Sequence, residues 1–167
     1  SKKFLFFYIS CGFGAALLHT GINYYYYQEG LNILMEHGYS KAETLTVLNG
    51  RGSAEIISIL NSSSFKDFVS AYYGTVVGAS GAIYGVIVAF AFMFPNAELA
   101  LMFIPVPIKA KYFVPGLVLV DLYLGISGQS IFGGGGIAHF AHVGGALFGF
   151  IIMWYWKKDQ FKQNRWN

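Results

Sequence analysis

Charged residues are scarce in this chain. Asp, Glu, Lys and Arg make up 11% of its 167 residues, and 55% are hydrophobic, whereas a soluble domain carries about 25% charged residues. This composition argues against an ordinary soluble domain and predicts a protein embedded in a lipid bilayer. The formal net charge of +3 is small and scattered along the chain, so we expect no nucleic-acid partner.

Cysteine is also nearly absent. The one cysteine, Cys11, excludes an internal disulfide and indicates no redox compartment. It lies in an apolar run and should pack as a small hydrophobe. His139 and His142 have a spacing that metal ligands can have, but their own span holds no Cys or carboxylate to complete a site. We therefore expect neither a metal nor another cofactor.

The sequence contains several long apolar segments. A helix needs about 20 apolar residues to cross a hydrocarbon core of about 30 Å. The sequence predicts four such spans, at about residues 4–27, 73–94, 112–127 and 137–156. The fold class is therefore all-α, a polytopic transmembrane helix bundle that forms a single membrane domain over residues 1–167.

Asp121 lies in the third segment, which is short and also contains Pro115. A carboxylate is costly in lipid, so Asp121 should face the bundle interior or a water-filled cavity. We expect a structural role for it. The remaining histidines, His19 and His37, are expected at helix ends or in loops.

A polar and acidic stretch separates the first two spans, over about residues 28–72. It predicts a soluble helical excursion. Ser40 and Glu43 have the spacing of a capping box, which would start a short helix. Apolar residues over 56–60 predict a second short helix.

Basic residues predict the orientation. Four spans put the N-terminus, the second connection and the tail over residues 157–167 on one side of the membrane. Eight of the eleven Lys and Arg residues lie on that side: Lys2, Lys3, Lys109, Lys111, Lys157, Lys158, Lys162 and Arg165. By the positive-inside rule this side is cytoplasmic. The excursion and a mobile glycine loop over residues 129–136 would then face outward.

Two glycine motifs lie near the starts of the second and fourth spans. They are Gly78-Ala79-Ser80-Gly81 and Ala141-His142-Val143-Gly144-Gly145. Both spans run in the same direction, and each carries a small-x-x-x-small pair that lets helix backbones approach closely. The pairs are Gly81 with Gly85 and Gly145 with Gly149. Aligning the two glycine faces puts Ser80 and His142 at a similar depth, just inside the outward face.

Ser80 and His142 have the chemistry of a nucleophile and its base. A serine hydroxyl is a weak nucleophile until a base such as imidazole takes its proton. Ser80 also begins a helix, where free backbone N–H groups can stabilise an oxyanion. The non-catalytic alternatives are that the glycine motif at Ser80 occurs by chance and that His142 only hydrogen-bonds a neighbouring helix. The two residues together favour an acyl-transfer dyad.

At these residues the chain resembles the rhomboid family of intramembrane serine proteases. The resemblance rests on Gly78-Ala79-Ser80-Gly81-Ala82-Ile83-Tyr84-Gly85 and on Ala141-His142-Val143-Gly144-Gly145-Ala146-Leu147-Phe148-Gly149. The stretches over residues 11–15 and 105–111 are also similar to bacterial members. The resemblance covers nearly all of the chain outside the excursion.

The resemblance implies a role for each matched residue. Ser80 would be the nucleophile and His142 the general base, with Tyr84 packed against the imidazole. Gly78 and Gly81 would support the oxyanion site, and the glycine loop would be a flexible cap. Substrates would be single-span membrane proteins, cleaved near the outward face of the lipid bilayer. The location implied is a bacterial inner membrane, with a multi-pass chain whose C-terminus is cytoplasmic.

Rhomboids have a core of six spans, and the resemblance implies that this chain corresponds to the last four. The first two would include the span whose His and Asn side chains complete the oxyanion hole. The loss of one oxyanion donor costs about 10²- to 10³-fold in rate, so we expect reduced activity from a partial chain. The alternatives are an inactive rhomboid-like protein that binds membrane helices, and a small channel or transporter subunit.

Overall fold

The computed structural model describes residues 2–46, 48–49, 54–60, 62–74, 79–101, 104–128 and 137–163. The helices are α1 Lys2–Glu36, α2 Lys41–Thr46, α3 Ala54–Ile59, α4 Ser62–Tyr73, α5 Ser80–Met93, α6 Ala110–Ile126 and α7 Ile137–Gln163. A hairpin of β1 Glu98–Leu101 and β2 Ile104–Lys109 precedes α6. The predicted all-α helix bundle is confirmed, since this small hairpin is the only sheet among the described residues.

Within the part of the chain that the structure describes, two helices are long and apolar enough to cross a membrane, over Lys2–Glu36 and Ala138–Lys157. α5 has 14 residues, which gives about 21 Å at 1.5 Å per residue. The helix of the second predicted span therefore begins later than predicted, at Ser80. Gly74 and Gly78 precede it, and glycine disfavours a continuous helix.

The centre of the bundle is a direct contact between the backbones of α5 and α7. A Cβ placed on Gly145 would lie 1.8 Å from the carbonyl oxygen of Gly81, and one on Gly149 would lie 2.7 Å from the Cα of Gly85. Because residue numbers rise together along the contact, the two helices are parallel. α1 packs antiparallel against them, with Cys11 next to Gly85. α6 is antiparallel to α7 as well, with Asp121 beside His142 and Gly125 beside Phe140.

The excursion forms a second hydrophobic core around the end of α1. That helix continues to Glu36, so the predicted excursion begins inside it. The buried residues of this core are Leu31, Leu34, Leu48, Ile56, Leu60 and Phe68. Both predicted short helices are present, as α2 and α3. The third helix here, α4, was not predicted, because it begins inside a serine tract that resembles a loop.

The connection before α6 contains Lys109 and Lys111. In the structure β1 and β2 pair in antiparallel register, with Glu98 opposite Lys109 and Leu99 opposite Ile108. β2 then continues directly into α6. Pro105 and Pro107 are tolerated because a strand of a two-stranded sheet has an unpaired edge.

The start of α2 should lose stability as the pH falls. The hydroxyl and the backbone N–H of Ser40 both donate to the Glu43 carboxylate at 2.7 Å, and these hydrogen bonds lower the pKa of Glu43. A lowered pKa means that the stabilisation is present above the ordinary value of about 4.3 and is lost as the pH falls through the folded-state pKa. A carbon-13 NMR titration of Glu43 should give a lower pKa in the wild type than in Ser40→Ala. Equal values would contradict the capping box.

Candidate active site

Ser80 is the first residue of α5, and its side chain is exposed. The N-cap residue, Ala79, makes no side-chain cap hydrogen bond. The Ile83 N–H donates to the Ala79 carbonyl at 2.9 Å, which begins the helical pattern. The N–H groups before it have no intrahelical acceptor. The Ser80 hydroxyl is thus presented next to backbone donors at the positive end of a helix dipole.

His142 reaches this hydroxyl from α7. Its Nε2 lies 3.1 Å from the Ser80 Oγ. The imidazole stacks on the Tyr84 ring, with ring centroids 4.3 Å apart and an angle of 4° between the planes. Tyr84 is one turn after Ser80 on α5, so the same helix presents the hydroxyl and supports the ring.

Asp121 completes the polar cluster from α6. Its side chain is buried, and the Tyr84 hydroxyl donates to its Oδ2. The Nδ1 atoms of His139 and His142 lie 2.5 and 3.2 Å from its Oδ1. The sequence predicted that Asp121 faces the bundle interior or a water-filled cavity, but it did not predict the contact with His142. The indication in the sequence was the cost of a carboxylate in lipid, which does not identify the residue that the carboxylate contacts.

Three residues of this cluster could also be considered as metal ligands. Asp121, His139 and His142 offer ligand atoms within 4.8 Å of one another. The carboxylate comes from α6, so it lies outside the span that holds the two histidines. Both Nδ1 atoms approach the same carboxylate oxygen, as two donors approach an acceptor. A metal ion would have to displace these hydrogen bonds.

The other predicted site residues lie at helix contacts or outside the described residues. Gly81 packs under Ala15 of α1, where an added Cβ would meet the alanine Cβ at 2.4 Å. Gly85, Gly145 and Gly149 lie in the contact between α5 and α7. Gly78 and the glycine loop predicted as a cap lie outside the described residues.

The two remaining histidines have different positions. His37 follows the end of α1, and its Nδ1 lies 2.8 Å from the Ile33 carbonyl oxygen. The prediction for His19 was wrong, because α1 extends well beyond it. His19 is buried within that helix, with its Nε2 3.0 Å from the Nδ2 of Asn23.

An apolar cavity of about 570 Å³ lies between α5, α6 and α7. Its lining includes Val88, Phe92, Val114, Val118, Ala146 and Phe150, and Lys111 is its one charged lining residue among those described. None of the four residues of the polar cluster lines it, namely Asp121, Tyr84, His139 and His142. The cavity is therefore beside the polar cluster and does not contain it.

Comparisons with known proteins agree on one family. The family model described as Rhomboid domain matches residues 1–158. Rhomboid protein 1, mitochondrial, of Saccharomyces cerevisiae is 33% identical over 95 residues, which are 57% of this chain and 26% of the yeast protein. Presenilin-associated rhomboid-like protein, mitochondrial, of Rattus norvegicus is 38% identical over 84 residues, 50% of this chain and 20% of the rat protein. The chain thus spans about a quarter or a fifth of the length of these relatives. No solved structure matches the chain significantly.

Proposed function

Because the chain belongs to the rhomboid family, whose members are membrane proteins and generally serine proteases, we propose that it is an intramembrane serine endopeptidase. The observation that carries this proposal is the 3.1 Å distance between the Ser80 Oγ and the His142 Nε2. The two atoms come from different helices and lie within the range of a productive nucleophile and base.

Ser80 and His142 act in two half-reactions. The His142 Nε2 takes the hydroxyl proton as the Ser80 Oγ bonds to the scissile carbonyl carbon. The C–N bond then breaks, and the imidazolium gives the same proton to the leaving amine. Water next attacks the acyl ester, loses a proton to His142 and releases the new carboxyl end. That proton returns to the Ser80 Oγ, so the enzyme is regenerated.

Backbone N–H groups at the start of α5 are the proposed donors to the oxyanion. They have no intrahelical acceptors, and the helix dipole adds positive potential. Donors of this kind stabilise the transition state because they already point at the position where charge develops.

The proposed substrates are single-span membrane proteins. α1 and α6 are antiparallel to α5 and α7, so Ser80 and His142 lie at one end of the bundle. The lysines at the start of α1 and α6 and Lys157 of α7 lie toward the other end. Under the positive-inside rule, the lysine end is cytoplasmic in a bacterium, or faces the matrix in a mitochondrion. Cleavage would then occur near the opposite face.

A fluorophosphonate probe tests this proposal, because it labels an activated serine covalently. The full-length protein in liposomes should be labelled, and Ser80→Ala and His142→Ala should abolish labelling. Ser127→Ala is the matched control, since the Ser127 hydroxyl donates to the Leu124 carbonyl at 3.2 Å and has no part in the reaction. This variant should be labelled as the wild type is.

Cleavage of a single-span reporter substrate should follow the same pattern as labelling. If the folded wild type is neither labelled nor cleaves any membrane substrate, the protease proposal fails. The better interpretation of the same fold would then be an inactive rhomboid-like protein that binds membrane helices.

A further inference from the structure

Asp121 is a buried carboxylate that engages three donors at once. It is 5% exposed. Tyr84 of α5 donates to one carboxylate oxygen, while His139 and His142 of α7 approach the other. Asp121 thus links α6 to both helices that carry the proposed dyad. A structural role would explain why Asp121 links the helices. It does not explain why one of the groups that hydrogen-bond to Asp121 is the imidazole of His142, the proposed base.

The contact with Asp121 determines which nitrogen of His142 carries the proton. A neutral imidazole has one N–H donor and one lone pair, and an ionised carboxylate only accepts. The Nδ1 of His142, 3.2 Å from the Asp121 Oδ1, must therefore be the donor. This leaves the lone pair on Nε2, the atom 3.1 Å from the Ser80 Oγ. The opposite tautomer would put lone pairs against each other at Asp121.

We propose that Asp121 is a positioning residue for His142. It fixes the tautomer and ring orientation in which Nε2 accepts the Ser80 proton, and it stabilises the imidazolium that follows. The inference rests on the proposed function. The three groups come from three helices, so the logic is that of a Ser-His-Asp hydrolase, which is recognised by geometry and not by sequence order.

His139 and Tyr84 hold the carboxylate in place. His139 is the nearer donor to the shared oxygen, at 2.5 Å. Two donors on one oxygen occupy both of its lone pairs, and the Tyr84 hydroxyl engages the other oxygen. The carboxylate is thereby held in the rotamer that reaches His142.

The first test reads the tautomer directly and needs no activity. Nitrogen-15 NMR of the histidine-labelled full-length protein, assigned with His142→Gln, should show a protonated Nδ1 and an unprotonated Nε2 for His142 at a pH where the ring is neutral. In Asp121→Asn the side-chain amide can donate to Nδ1, so the proton should shift to Nε2. A wild-type His142 that carries its proton on Nε2 would overturn the inference, even if the variant did not fold.

The second test is kinetic. Cleavage of a membrane reporter is measured per mole of folded protein, because Asp121→Asn would itself slow fluorophosphonate labelling. Asp121→Asn should lower kcat by about 10²- to 10⁴-fold, the larger figure being the loss when the Asp of a Ser-His-Asp triad becomes Asn, and should leave KM unchanged. Tyr123→Phe is the control on the same helix, because Tyr123 is 67% exposed.

The two tests separate failure of the inference from failure of the proposed function. If the wild type neither labels nor cleaves, the protease proposal fails, while the tautomer of His142 still shows whether Asp121 orients the ring. If the wild type cleaves and Asp121→Asn keeps its kcat and its His142 tautomer, the inference alone fails. A variant that loses only thermal stability would show that Asp121 is purely structural.

Discussion

Gly145→Ala should lower the unfolding temperature of the bundle by roughly 6 to 12 °C, although it adds a single methyl group. The new Cβ would lie 1.8 Å from the Gly81 carbonyl oxygen and 2.6 Å from its carbonyl carbon. These are backbone atoms, which cannot rotate away, so α5 and α7 must separate. Overpacking costs about 1 to 3 kcal/mol. We expect the upper end, and about 2 to 4 °C per kcal/mol in a chain of this size.

Gly21→Ala is the matched control for this substitution. Gly21 also lies within a helix, but a Cβ there would meet no atom within 4 Å. Its unfolding temperature should be unchanged or slightly raised, because alanine favours helix over glycine by up to about 1 kcal/mol. Circular dichroism melts in detergent measure both variants. Equal unfolding temperatures would contradict a direct backbone contact at Gly145.

Gly145→Ala should also slow the reaction of the proposed dyad. The contact between Gly81 and Gly145 sets the separation of the helices on which Ser80 and His142 lie. A displacement of about 1 Å can cost about 10²-fold in rate. Fluorophosphonate labelling of the folded Gly145→Ala protein should therefore be slower by about that factor, whereas Gly21→Ala should be labelled as the wild type is.

The sequence carried enough information to bring Ser80 and His142 to one depth. Spacing within a helix is local, so each residue's distance from its own glycine pair can be counted along the chain. The parallel direction of the two spans followed from the number of spans between them. Close packing of the glycine faces then required only that in lipid small residues permit the nearest approach.

The sequence could not reveal that Asp121 meets His142 or that the helix of the second span is only 14 residues long. The first depends on the register between α6 and α7, which is set by side-chain packing across the bundle and leaves no periodic trace. The second depends on where glycines interrupt a continuous apolar run. The start of α4 was missed for a related reason, since serine is favoured both in loops and at the first positions of helices.

Phe68→Ala should release the excursion from α1 while leaving the bundle folded. Phe68 is fully buried, stacks on Tyr27 with ring centroids 5.7 Å apart, and packs directly over Gly30. Removing a buried phenylalanine costs about 3 to 5 kcal/mol. Because proteolysis follows the population of the opened form, trypsin cleavage after Lys66 should accelerate on the order of 10²-fold or more. A time course on the full-length protein in detergent measures this rate.

Labelling of Ser80 should survive in Phe68→Ala, because the bundle has a hydrophobic cluster of its own around Phe7, Cys11 and Ala82. Tyr25→Ala is the control: it also removes an aromatic ring, but that ring is 60% exposed, so cleavage after Lys66 should keep the wild-type rate. If Phe68→Ala abolishes labelling as well, the excursion and the bundle unfold as one cooperative unit. If Phe68→Ala changes neither the cleavage rate after Lys66 nor the labelling of Ser80, the core around Phe68 does not hold the excursion to α1.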